Sequence, residues 1–182
     1  MYTGTLNIFV KYWQAYGGAK ALIKSPYLHL AFLLLLITSH FWLTDKWWEQ
    51  SISILPNLLG FSLGGFAMFL GFGDEKFRAI LAESDGNNET SPYESLCASF
   101  VHFIVVQFLA LTIALIAKSL DFWMPMPELM RQMLIWCEFF FSGLGYLLFF
   151  YSITSMLAAT MAVFRTCFWY AKFQNSSKDS TR

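Results

Sequence analysis

Charge is scarce in this sequence. Only 13% of its 182 residues are Asp, Glu, Lys or Arg, and twelve acids balance twelve bases to a formal net charge of zero. A chain so balanced offers no global attraction to a polyanion, so no direct nucleic-acid partner is expected. Cysteine is equally sparse. Cys97, Cys137 and Cys167 lie in or beside apolar segments without a C-x-x-C spacing, which argues against both a zinc site and a disulfide framework. They read as small packing residues. G-x-S-x-G, H-E-x-x-H, a Walker loop and a dinucleotide fingerprint are all missing, and Gly71-Phe72-Gly73 lacks the rest of a phosphate-binding motif. Ser62 and His102 are the nearest thing to a nucleophile and base, but any membrane protein with a few polar residues offers such a pair. No enzyme activity, cofactor or metal is expected.

Apolar residues are abundant: 57% of the chain is hydrophobic and 19% aromatic, with a mean hydropathy of +0.50. This is the composition of an integral membrane protein. The pattern predicts an all-α polytopic membrane protein with four transmembrane helices and an N-terminal interfacial amphipathic helix. Residues 1–26 carry Leu6, Phe9, Val10, Trp13, Ala21 and Leu22 at helical spacing, interrupted by Gly17 and Gly18 and interleaved with Lys11, Lys20 and Lys24. Such a segment either lies in the headgroup region, with Tyr12 and Trp13 at its level, or packs on the protein's own inner surface. Residues 27–172 form the four-helix transmembrane domain. Its spans are Tyr27 to Thr44, Ser53 to about Gly73, Ser95 to Ala117 and Leu134 to Phe164, with a cytoplasmic loop at 74–95. Residues 173–182 read as a disordered cytoplasmic tail. The first apolar run has no small-residue cleavage site after it, so it is expected to be retained. His29 and His40 near the ends of the first span read as interfacial anchors.

The second span organises the chain. In SISILPNLLGFSLGGFAMFLGFGD, Ser53, Asn57, Gly60, Gly64, Ala67, Gly71 and Asp74 recur at steps of three and four, which aligns them on one helical face. In lipid such a seam lets a second backbone approach closely, and Gly60 and Gly64 form the G-x-x-x-G version of it. The seam is read as a helix-packing surface or as a pore lining. Pro56 is placed in the first turn of this helix, where its missing N–H is harmless.

Asp74, Glu75 and Glu138 are the candidate pore or partner-binding acids. Oligomerisation could build a ring of any of them, as a cation pore requires. Glu138 is the only acid within an apolar run, and its depth decides whether it is interfacial or turned toward a water-filled interior. The loop acids Glu83, Asp85, Glu89 and Glu94 read as solvated and not as a calcium register. Nine of the twelve Lys and Arg fall on one side of the four-span layout and three on the other, which puts both termini in the cytoplasm.

The four-span plan, the short outer links and the glycine-rich helix running into LGFGDEKF at 70–77 resemble the small inner-membrane proteins of bacterial anti-phage modules. The Kiwa membrane subunit KwaA and the membrane effectors of some retrons are of this kind. Four spans favour the Kiwa type, because retron effectors often look like two-span proteins. The resemblance implies a bacterial inner-membrane component of a phage-defence or stress response that oligomerises and works with a soluble cytoplasmic partner. It carries over no functional residue. Three roles stay open: a homo-oligomeric channel or membrane-perturbing effector, an anchor or sensor recruiting a partner through residues 74–94, and an accessory transporter subunit. The lipid bilayer is a partner in each.

Overall fold

The computed structural model describes residues 2–71, 75–83, 90–121 and 128–179, together with their side chains except those of residues 2, 128–134 and 176–179. The described residues form helices α1 (Tyr2–Tyr16), α2 (Gly18–Lys24), α3 (Pro26–Ile37), α4 (Ser39–Thr44), α5 (Trp47–Gly71), α6 (Glu75–Ala82), α7 (Pro92–Leu120) and α8 (Glu128–Asp179), with no strand among them. The protein is all-α.

Three helices are long and apolar enough to cross a membrane: α5 with 25 residues, α7 with 29, and the Ile135–Asn175 stretch of α8 with 41. The bent pair α2–α3, turned by 53° at Ser25, makes a fourth if it is one span. The expected first span, Tyr27 to Thr44, is divided at Thr38. Its first piece, α3, has 12 residues and covers about 18 Å at 1.5 Å per residue, short of a hydrocarbon core of about 30 Å. The hydroxyl of Thr38 donates to the Leu34 carbonyl at 2.7 Å, and that of Thr44 does the same to His40 at 2.7 Å. Such back-bonding bends helices.

α7 and α8 form the centre of the bundle. α5 packs along α7 and touches α8, α3 lies against α8, and α1 lies across α7. One core cluster joins Leu35, Trp42, Trp47, Leu55, Ala110, Ala114, Tyr146 and Phe149 at one end. Phe69, Leu96, Phe100 and Ala162 form another toward the opposite end. Outside, Phe61, Met68 and Phe140 are exposed. A water-soluble bundle would bury such side chains, whereas hydrocarbon accommodates them without loss.

Local chemistry fixes the helix ends. α7 begins three residues before the expected Ser95, because Ser91-Pro92-Tyr93-Glu94 is a complete capping box. Ser91 Oγ accepts from the Glu94 N–H at 3.2 Å, and the Glu94 carboxylate accepts from the Ser91 N–H at 3.1 Å, with Pro92 at the first helical position. These bonds satisfy end donors that the helix itself cannot. α5 begins at Trp47, six residues before the expected start. Pro56 is therefore inside the helix and not in its first turn, where it removes the N–H that would otherwise bond the Ile52 carbonyl. At the other end of the chain, α8 continues as helix through Asp179, across most of the segment read as a tail. The break between α1 and α2 falls on the two expected glycines, whose φ values of 99° at Gly17 and 64° at Gly18 lie in the left-handed region that side chains disfavour.

Candidate functional site

All six described seam residues, Ser53, Asn57, Gly60, Gly64, Ala67 and Gly71, are exposed along one side of α5. The opposite face, with Ser51, Leu55 and Phe69, is the buried one. A Cβ built at Gly60, Gly64 or Gly71 meets nothing within 4 Å. Among the described residues the three seam glycines therefore have open space beside them, and Ser53, Asn57 and Ala67 are exposed with them. α5 is also the least enclosed of the three long helices, with 11% of its most apolar window buried against 39% for α7 and 33% for α8. Asp74, the last member of the seam, lies outside the described residues.

The acids do not converge. Glu75, exposed at the start of α6, belongs to the end of the bundle where Phe77 of the same helix meets Tyr170 of α8, ring centroids 5.0 Å apart. Glu138 is exposed on α8 next to Phe139, which packs on Trp42 at 5.5 Å. Phe139 and Tyr170 are 31 residues apart on one helix, about 46 Å at 1.5 Å per residue. Glu75 and Glu138 thus belong to opposite ends and cannot share a ring. Neither is ion-paired; the one salt bridge among the described residues joins Lys46 to Asp121 at 2.6 Å, clipping the α4–α5 link to the end of α7. That contact raises the Lys46 pKa, first through the hydrogen bond that its ammonium donates to the Asp121 carboxylate and then through the charge of Asp121.

The structure builds a second constellation. His102 of α7 is 3% exposed and is held on three sides by tyrosines. Its Nδ1 is 2.8 Å from the Tyr12 hydroxyl and its Nε2 is 2.9 Å from the Tyr151 hydroxyl. The Tyr16 ring stacks on the imidazole with centroids 3.8 Å apart and planes 17° from parallel. The Tyr16 hydroxyl reaches to 3.4 Å from that of Tyr151. Tyr12 and Tyr16 are four residues apart and so share one face of α1, while Tyr151 arrives from α8. Three elements meet on one ring. A neutral imidazole has one N–H donor and one bare nitrogen, so one tyrosine accepts and the other donates, and tautomer exchange reverses both roles together. Burial, and secondarily the neighbouring Tyr16, push the Tyr12 phenol up to about 12.

No family model matches the chain, and no curated protein or solved structure does either. The site must be read from its own geometry.

Both ring nitrogens of His102 are occupied by phenols, so the imagined pairing with Ser62 is not formed. The cluster instead links α1 to α7 and α8 as a latch, through hydrogen bonds gathered on the buried His102 ring. The outer side of α1 and α2 retains exposed Leu6, Ile8, Phe9, Val10 and Ile23. His102 itself was legible as a polar residue in an apolar span; Tyr16 and Tyr151 were not singled out. The i, i+4 pair of tyrosines facing an intramembrane histidine is the signal that would have found them.

Among the described residues, two further polar side chains are buried with nothing to bond. Gln107 is 0% exposed and neither of its amide atoms has a partner, and the Trp47 indole N–H is likewise unpaired. Among the described glycines of the long apolar helices, Gly145 is the one where an added Cβ has no room within the protomer. A Cβ there would enter the ring of Trp47.

Proposed function

We propose that this protein is a bacterial inner-membrane protein that self-associates through α5 and acts on membrane permeability as an oligomeric channel or membrane-perturbing effector. The observation that carries the proposal is the exposed seam. A face of Ser53, Asn57, Gly60, Gly64, Ala67 and Gly71 that is exposed, with open space at its glycines among the described residues, is suited to close approach by a second copy. Small residues give membrane helices their tightest contacts, because lipid supplies no hydrophobic drive for association. In a closed ring of copies these faces turn toward an axis, with Ser53 and Asn57 as its polar lining near one end and Glu75 toward the other. Glu138 is excluded from that ring by its position at the far end of α8.

The topology belongs to the same proposal. Counting the bent α2–α3 pair as a span gives four crossings, and the Lys and Arg excess places both termini in the cytoplasm. α1 then lies at the inner interface, with one side latched to His102 and Leu6, Phe9 and Val10 turned to lipid. The setting in phage defence or stress response rests on the resemblance of the layout to small defence-module membrane proteins.

The test uses a clean substitution. Gly60→Leu/Gly64→Leu fills open space in the protomer, so the fold is expected to persist while the oligomer shifts to smaller species in detergent. Cells expressing the parent should depolarise, and cells expressing the variant at equal level should not. An unchanged mass in detergent would sink the seam as the association surface. A well-expressed parent that forms oligomers without depolarising the membrane would instead favour an anchor acting through the α6 side.

A further inference from the structure

A cavity of about 470 Å³ lies between the α2–α3 bend and the facing sides of α7 and α8. Lys24 and Arg165 both line it, and among the described residues no Asp or Glu does. Among the described residues neither cation is ion-paired; the Arg165 guanidinium rests 5.2 Å from the centre of the Trp169 ring. Ser25, at the bend, adds a hydroxyl to the lining. The remaining wall is mixed: Ser99, Ser155 and the tyrosines contribute hydroxyls, while Phe103, 6% exposed and set inside, and Met161, 49% exposed and opening to the surroundings, supply its apolar part.

Two exposed cations lining one concavity, with no acid opposing them among the described residues, focus a positive potential there and favour an anion. A free, fully hydrated anion gains nothing from Phe103 and Met161, whereas a phosphate carrying a hydrocarbon chain uses both halves of the lining. The volume falls within the range of about 300–1,000 Å³ typical of small-molecule sites. It holds a headgroup and the start of a chain, not a whole lipid, and the opening at Met161 is where the chain would leave. Basic pockets between membrane helices hold acidic lipid headgroups in this manner.

We propose that this cavity binds the phosphate of an acidic phospholipid, with Lys24 and Arg165 on the phosphate and an acyl chain passing Met161. Lys24 closes α2 and Arg165 belongs to α8, so the lipid ties the bent N-terminal pair to the longest helix. This site is independent of the α5 seam.

Native mass spectrometry of the full chain, released from detergent with added phosphatidylglycerol or phosphatidylcholine, tests the proposal. Retention of phosphatidylglycerol in preference to phosphatidylcholine is expected. Lys24→Gln/Arg165→Gln should weaken it about fivefold per cation, or roughly twenty-five-fold together. Lys11→Gln/Lys20→Gln removes the same charge from outside the cavity and should change affinity less than about twofold, the residue of general surface attraction. Ala158→Leu, which narrows the cavity without touching charge, should also reduce retention, with circular dichroism confirming that each variant keeps its helices. Equal retention of the two lipids, or equal loss from both charge variants, overturns the site. Displacement of the lipid by millimolar inorganic phosphate would show that the pocket takes free phosphate, and overturns the lipid assignment.

Discussion

Replacing Gly145 by alanine tests the packing of the bundle at its tightest point. Trp47 is 1% exposed and is wedged against Trp48 and Tyr146, with ring centroids 6.0 and 6.2 Å away. A methyl on Gly145 would occupy the space of the Trp47 six-membered ring, and the neighbours leave that ring nowhere to go. Gly65 is the matched control, a mid-helix glycine of α5 off the seam, where a Cβ meets nothing within 4 Å. Both substitutions gain the helix preference of alanine over glycine, about 1 kcal/mol, so this gain cancels between them. What remains is overpacking, about 1–3 kcal/mol in a close-packed interior. Gly145→Ala should therefore be less stable than Gly65→Ala by about 1–3 kcal/mol, and should lie between neutral and about 2 kcal/mol below the parent. Reversible unfolding in mixed micelles, followed by circular dichroism and tryptophan emission, measures the difference. Trp47→Phe in the Gly145→Ala background should recover part of it, since a smaller ring leaves room and the two sites couple. Equal stability of Gly145→Ala and Gly65→Ala would refute the reasoning.

Other perturbations follow from the latch and the buried amide. His102→Phe takes from Tyr151, 3% exposed, its 2.9 Å partner and leaves its hydroxyl the 3.4 Å approach of Tyr16 and the Ser25 side chain; the expected cost is about 1–3 kcal/mol. Amide exchange in residues 5–16 should rise with it, and unchanged exchange would refute the latch. Tyr12 titrates near 12 in the folded protein against about 10 in an unfolded chain. The raised value means that its contribution is complete below pH 10 and is lost as pH climbs from 10 to 12. Absorbance at the phenolate band should show a late-titrating tyrosine that disappears in Tyr12→Phe, and its absence would count against docking of α1. Gln107→Leu should stabilise the bundle by about 1–3 kcal/mol, because neither amide atom has a partner to lose; a fall in stability would reveal a bonding partner such as an ordered water.

The limits of the sequence are visible residue by residue. Helical period alone aligns Ser53 through Gly71, since spacing in the chain maps directly onto angle around an axis. Nothing in that spacing says whether the face turns inward or outward. Tertiary contacts decide it, and here Leu55 and Phe69 take the inside. Capping chemistry was present at Ser91 to Glu94 and would have placed the start of α7 correctly, but hydropathy set the boundary at Ser95 instead. The division of α3 from α4 was missed for a similar reason. Thr38 is a single residue in a strongly apolar run, and its effect runs through one hydrogen bond to Leu34. The histidine cluster was the least legible feature. Tyr12 and Tyr151 reach His102 across 90 and 49 residues of chain, and a single sequence carries no record of such distances.

Glycine shows how much the missing information matters. Gly64 and Gly145 both sit in long apolar helices beside other small residues, and by spacing alone each could mark an association face. In the fold their roles separate. Gly145 is consumed inside the protomer as the seat of Trp47, and has no surface left to offer. Gly64 is open, and so are the five seam residues described with it. A small residue becomes a candidate contact with another molecule only after its own chain has declined to fill the space. By that criterion α5, and not the glycines of α8, is where a second copy should dock, and substitutions at the two sites should act on different observables: Gly145 on unfolding of the single chain, Gly64 on the mass of the assembly.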